Sequence, residues 1–152
     1  MASLSGFGHG DVGWEIDAAL TAFLWRAVEE RGVTEFYSGA MGGFDMRFCA
    51  AVRVLRRQYP NIRLYRVIYS YAAVSGAQNG AQAQLYDGIV FPEEAGAAYP
   101  RAAIAVRNRW MIDRCDGAVF FVSRHTGGAY AAMRYAARRG KLWANLAELP
   151  PP

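Results

Sequence analysis

A chain of 152 residues with 53% hydrophobic and 20% charged side chains has the size and composition of one globular domain with a real core, predicted over residues 1–152. No apolar run approaches the ~20 residues that span a bilayer, and the N-terminus lacks the basic flank and apolar block of a secretory signal, which predicts a soluble, cytoplasmic protein without membrane contact. The net charge of +4 rests on 17 basic residues among which only Lys141 is a lysine, so arginine, suited to bidentate recognition of phosphate or carboxylate, supplies the positive surface unless genomic composition alone explains it.

In chain order, "ASLSGFG" (2–8) is short and small and ends in glycine, as a first strand running into a loop does. Over 14–31, Ile16, Leu20, Phe23, Leu24, Ala27 and Val28 fall at helical spacing, and Gly32 supplies the stop. "VTEFY" (33–37) reads as a strand. Phe44, Phe48, Val52, Leu55 and Tyr59 then mark one face of a helix ended by Pro60, followed by a strand at 62–68. Residues 69–99 lose this periodicity and are rich in Ala, Gly and Gln, which predicts a lid or dimer-contact excursion with a short strand at 89–91. Order resumes with a helix over about 101–114, the apolar strand "GAVFFV" (117–122), a helix over about 128–139 and a strand at 142–146.

Strands that alternate with helices imply right-handed crossovers and a mainly parallel sheet of about five strands covered on both faces, a Rossmann-like α/β three-layer sandwich. Ligands of such sheets bind beyond the carboxyl ends of the strands, where the loops 8–13, 38–45, 69–99 and 123–128 gather. Cys49 and Cys115 have no close partner at metal-site spacing and lie beside bulky apolar residues in predicted helices, so both read as buried thiols, with no metal or cofactor expected. The pairs Arg56-Arg57 and Arg138-Arg139 stand far apart without interleaved aromatics, so nucleic acid is not signalled as a partner. Trp25, Trp110 and Trp143 are many large aromatics for one small domain to bury, which predicts a homodimer or larger assembly.

Two glycine loops carry the chemistry. In "SGAMGGFD" (38–45), Gly42 and Gly43 place free N–H groups at the positive end of a helix dipole, an arrangement that accepts an anion or permits a tight turn. Asp45 caps that helix or accepts hydrogen bonds from ribose hydroxyls. "SRHTGG" (123–128) again follows a strand and opens a helix, so the two loops form a two-sided clamp, with His125 either a ligand and acid-base group or a turn residue. Arg107 lies three residues after Ile104 and four before Met111, which aims it at the sheet, to meet a ligand phosphate or to bridge to Asp116 or Asp45. Arg109 and Asp113 are spaced to pair on the surface.

The order strand, "SGAMGGFD", helix, then "RNRWMIDRCD", apolar strand and "TGGAYAAMRYAARRGK" resembles the SLOG superfamily, the Rossmann-like group containing the lonely-guy phosphoribohydrolases and the DNA-processing Smf proteins. The resemblance covers nearly the whole chain and is nearest to small stand-alone members of that group. It implies that the glycine loops hold the phosphate and ribose of a nucleotide-derived small molecule. Ser38, Gly39, Gly42, Gly43 and Asp45 fall on the first motif, and Thr126, Gly127 and Gly128 on the second. Arg107, followed by Asn108, falls on the arginine that lonely-guy enzymes use in catalysis. "GHGD" (8–11), with Gly8 and His9, is similar to a GHR start whose arginine is here Gly10. Lonely-guy enzymes continue GGxGTxxE, whereas this chain has Arg134 at the glutamate position. The resemblance therefore implies a nucleotide sensor or sequestering protein, or alternatively an N-glycosidic hydrolase or transferase in which Asp45 or Asp11 replaces the lost glutamate, with Arg107 and Asp45 as catalytic candidates.

Overall fold

The computed structural model describes residues 2–72 and 84–152. Its elements run β1 Ala2–Gly8, a 3-10 turn Trp14–Ile16, α1 Asp17–Arg31, β2 Val33–Ser38, α2 Gly43–Gln58, β3 Arg63–Val67, β4 Gly88–Val90, α3 Glu93–Ala97, α4 Ala103–Arg114, β5 Gly117–Phe121, α5 Gly128–Arg138 and β6 Leu142–Asn145. The first predicted helix thus divides: its opening turn is tightened to 3-10, and the α-helix begins at Asp17. It stops at Gly32, whose φ of 66° lets its N–H return to the Val28 carbonyl at 3.1 Å.

The strands form one parallel sheet in the order β4-β3-β2-β1-β5-β6. The chain winds outward from β1 through β2 and β3 to β4, then crosses back to lay β5 on the other side of β1. That reversal puts the crevice of the sheet between the carboxyl ends of β1 and β5. Where about five strands were expected there are six; the short strand foreseen near 89–91 is β4, which pairs Gly88, Ile89 and Val90 with Tyr65, Arg66 and Val67 at the sheet edge. The fold class is Rossmann-like α/β.

Two cores follow from alternation along the strands. Leu4, Phe36, Leu64 and Val119 point to one face, where Leu20 and Leu24 of α1 and Phe48 and Val52 of α2 cover them. Phe7, Tyr37, Val67 and Phe120 point to the other, under Met111 and Ile112 of α4 and Ala132, Met133 and Ala136 of α5. Burying one large aliphatic or aromatic side chain stabilises by roughly 1.5–3 kcal/mol, so each face fixes its helices firmly.

Of the predicted excursion 69–99, residues 73–83 lie outside the described residues. After them the chain is ordered by β4 and by α3, a five-residue helix too short to show periodicity in the sequence. Trp25 packs edge-on to Tyr59, Trp110 edge-on to Tyr37, and Trp143 lies under the Arg31 guanidinium. The three tryptophans make these contacts within the chain and are each partly buried. Cys49 and Cys115 are buried thiols that burial pushes up to about 11 and about 12, although Cys115 caps the end of α4 instead of lying inside it. Among the described residues no helix is long and apolar enough to cross a membrane.

Candidate functional site

The loop between β2 and α2 is closed by its own protein. Ala40 donates to Ser38 Oγ at 3.0 Å, Met41 to Asp45 Oδ2 at 2.9 Å, Gly43 to the Gly10 carbonyl at 2.8 Å and Phe44 to the His9 carbonyl at 3.3 Å. The N–H of Gly43, expected to be free for an anion, is therefore spent on the β1 loop. The reason for the glycine is proximity: a Cβ at Gly43 would sit 1.9 Å from the Val12 carbonyl oxygen. Gly39 answers a second close approach, since a Cβ there would sit 2.6 Å from Arg107 Nη1.

Asp45 does not cap α2 in the usual sense. It reaches back from the first turn to the N–H of Met41, the residue before the Gly42 cap. Burial pushes its carboxyl up to about 7, against the pull of that N–H and of Arg107.

His9 is buried, and its Nε2 accepts the Ser123 N–H at 3.0 Å, which places the imidazole proton on Nδ1 and ties the β1 loop to the β5 loop. Burial and, next, the Arg124 charge hold its pKa below the ordinary histidine value. Above it, Arg124 pairs with Asp11 at 3.1 Å on the exposed rim, so Asp11 is engaged in a surface bridge.

Arg107 projects from α4 toward the sheet, as its spacing predicted, and is 3% exposed. Its Nη1 donates to the Val67 carbonyl at 2.8 Å and to Gly39 at 3.5 Å, its Nε to Asn108 Oδ1 at 2.9 Å, and its Nη2 contacts the Met41 sulfur at 3.5 Å. Neither expected bridge forms. Asp116 is taken by the Ser3 backbone, and among the described residues no carboxylate oxygen lies within 4.0 Å of the guanidinium. Burial accordingly lowers its pKa, with Asp45 as the first opposing influence. Asp113 likewise passes over Arg109 and pairs with Arg139 at 3.0 Å and the Tyr135 hydroxyl at 2.6 Å.

The loop between β5 and α5 is open by contrast. Gly127 and Gly128 have nothing within 4 Å of a built Cβ, and among the described residues the N–H groups of Gly128, Ala129 and Tyr130 show no protein acceptor. His125 faces the other way: its Nε2 contacts the Pro150 carbonyl and its ring meets Tyr130 edge-on.

A cavity of about 180 Å³ lies between these parts, lined by Gly8, Met41, Asp45, Arg107, Asn108 and Gly128 among others. It continues past Ile104 and Asn108 into a second hollow of about 230 Å³ between α4 and α5, edged by Arg101, Arg109 and Tyr135. Of the residues singled out from sequence, Gly8, Asp45, Arg107, Asn108 and Gly128 thus converge on one space. Ser38, His9, Gly39, Gly42 and Gly43 sit behind it as scaffold, and His125, Thr126 and Gly127 do not line it. Sequence reading missed Met41, whose side chain touches both the cavity and Arg107; its place inside the glycine loop was the available signal. Among the described residues no group of three or more His, Cys, Asp or Glu side chains is placed to hold a metal.

No family model matches the chain, and no curated protein does. Solved structures do. DNA processing protein A from Helicobacter pylori, described for its single-stranded DNA binding mode, superposes with a TM-score of 0.64 at 17% identity over 94% of this chain and 64% of its own. The structural-genomics target TM1055 superposes with a TM-score of 0.58 at 12% identity over 93% of this chain and 72% of its own. The chain shares the Rossmann-like fold of these two structures. It spans about 64% of the DNA-processing protein's length, and identities at this level speak to architecture alone.

Within that shared fold, Arg134, at the glutamate position of the lonely-guy pattern, stands on the exposed side of α5 with its guanidinium 5.9 Å from the Tyr130 ring and lines neither cavity. The carboxyl that does face the cavity is Asp45.

Proposed function

We propose that this protein binds a nucleotide or nucleotide-derived anion in the crevice between β1 and β5, as a sensor or ligand-sequestering domain. Arg107 carries the reading. A guanidinium 97% out of solvent without a carboxylate partner is costly unless something anionic completes it. The open N-terminus of α5 faces the same cavity and adds backbone donors and a positive dipole end. A thermal-shift screen against nucleoside monophosphates, ADP-ribose derivatives and cyclic dinucleotides tests it, since a ligand at 100 times its dissociation constant stabilises by about 2.7 kcal/mol. Arg107→Ala should then weaken the hit by about 1.5–3 kcal/mol, roughly ten- to hundredfold. Its own stability should fall by less than the about 3–5 kcal/mol that breaking a buried ion pair costs. Absence of any hit, or unchanged affinity in Arg107→Ala, defeats the reading.

A second reading is favoured by Asp45, a carboxyl with a pKa of about 7 in the same cavity, which is the tuning a general acid or base of an N-glycosidic hydrolase needs. Free base released from nucleoside monophosphates at on the order of one per second or faster, and lost in Asp45→Asn, would put hydrolysis in place of sequestration. A role on single-stranded DNA, the ligand named for the Helicobacter pylori protein, would instead show as binding that weakens steeply with salt.

A further inference from the structure

We propose that the apolar chamber beside Tyr69 is a nucleobase pocket, in which one planar base lodges against Phe91 and Tyr71 while the anionic end of the same ligand reaches Arg107. The proposal rests on the reading that Arg107 holds an anion, and it adds where the rest of that ligand goes. The chamber has a volume of about 180 Å³ and is walled by Tyr69, Tyr71, Phe91, Ala95, Gly96 and Ala103, among other residues. Phe91 and Tyr71 meet edge to face with centroids 5.0 Å apart, and Tyr71 is 79% exposed, so an aromatic face is left free to be stacked upon.

Position ties this chamber to the anion cavity. Ala103, in its wall, and Arg107 are four residues apart on α4 and so share one face of the helix a single turn apart. Tyr69 stands between them: its ring lines the chamber, and the Arg107 guanidinium carbon lies 5.6 Å from its centroid. The Arg107 cavity also measures about 180 Å³. The Arg107 cavity carries a buried guanidinium and the Asp45 carboxyl, whereas the chamber beyond Tyr69 is walled mainly by aromatic and small apolar side chains. A ligand that fills both has an anion at one end and a flat apolar ring at the other, joined by a short spacer, which is the architecture of a nucleoside phosphate.

Calorimetric titration of wild type, Phe91→Ala, Gly96→Val and Arg107→Ala with the four common nucleoside monophosphates and with ribose 5-phosphate separates the two ends. Gly96→Val serves as the second variant because a Cβ at that position lies 3.1 Å from Phe91 Cζ and would fill the chamber without removing an aromatic ring. Phe91→Ala and Gly96→Val should each weaken the best monophosphate about ten- to hundredfold, the affinity equivalent of one base stacked on an aromatic ring, and leave ribose 5-phosphate unchanged. Arg107→Ala should weaken both. Equal losses for the two ligand types in the chamber variants, or an unaltered monophosphate affinity, would overturn the base pocket while leaving the anion site standing. Wild type that binds neither ligand, or Arg107→Ala that binds both normally, would remove the anion reading and the base pocket with it.

Discussion

The two glycine loops are nearly the same backbone put to opposite uses. Gly42 caps α2 with φ and ψ of 88° and −178°, and Gly127 caps α5 with 92° and 175°, so each helix begins from one unusual conformation that glycine alone adopts cheaply. What differs is the residue three places on, at the end of the first helical residues. In the first loop it is Asp45, which turns back to the Met41 N–H and supplies a carboxyl from within. In the second it is Tyr130, which supplies none. The first loop is further plugged by the β1 loop through Gly10 and His9, whereas the second opens on the cavity beside Arg107. A glycine pair at a helix start therefore marks a conformation, and only the surrounding charge and contacts decide whether the donors are left for a ligand.

The largest test of that contrast is a matched pair of alanine substitutions. Gly43→Ala drives a methyl into the Val12 carbonyl and separates Gly43 from Gly10. Overpacking and the lost hydrogen bond together should cost about 4 kcal/mol. Gly128→Ala meets nothing and begins a helix, so it should be neutral or stabilise by up to about 1 kcal/mol. Denaturant midpoints of the two variants measure the difference. Similar values would mean that the first loop is no tighter than the second.

How far this was readable from sequence divides along the same line. Strands and helices declared themselves through local periodicity, and even the inward aim of Arg107 followed from the spacing of Ile104 and Met111 on one helix. The helix Glu93–Ala97 had too few residues to make a pattern. Closure of the first loop was not legible because it depends on contacts made at a distance: Gly43 meets Gly10 across α1 and β2, and His9 meets Ser123 across most of the chain. Symmetry of motif suggested a two-sided clamp. The donors and acceptors that break the symmetry belong to the β1 loop, whose "GHGD" gave no sign of lying over the start of α2. Arg107 left both of its readings open in the sequence because whether a carboxylate stands within reach is a fact of packing.

The middle-sized test concerns the internal carboxyl. Because the folded-state pKa of Asp45 is raised from 3.8 to about 7, the folded protein binds more protons than the unfolded chain across that window, and stability from this group is lost as pH rises through it. Between pH 5 and pH 7 the loss should be about 2 kcal/mol. Asp45→Asn keeps an acceptor for the Met41 N–H and removes the titration, so its stability should gain on wild type by that amount over the same two pH values. Unfolding curves at pH 5 and pH 7 give the comparison. Parallel pH dependence in the two proteins would show that Asp45 is ionised throughout and that the first loop holds a permanent charge.

The smallest effect is the most direct on function, because it rebuilds one loop in the image of the other. Tyr130 occupies in α5 the place that Asp45 occupies in α2, three residues beyond a glycine cap of the same conformation. In Tyr130→Asp the new carboxylate should turn back to the Thr126 N–H, as Asp45 turns to Met41, and a negative charge in the first turn suits the dipole, so the helix should hold. The edge contact of Tyr130 with His125 is lost, a modest penalty. Affinity is where the change should register: with an anion already at the N-terminus of α5, ribose 5-phosphate or a nucleoside monophosphate should bind about tenfold more weakly, equivalent to about 1.4 kcal/mol. Tyr130→Phe, which keeps the ring and adds no charge, should bind as wild type does. A loss shared by both variants would trace to packing against His125, and no loss in either would mean that the ligand's anion is held by Arg107 without help from the open helix end.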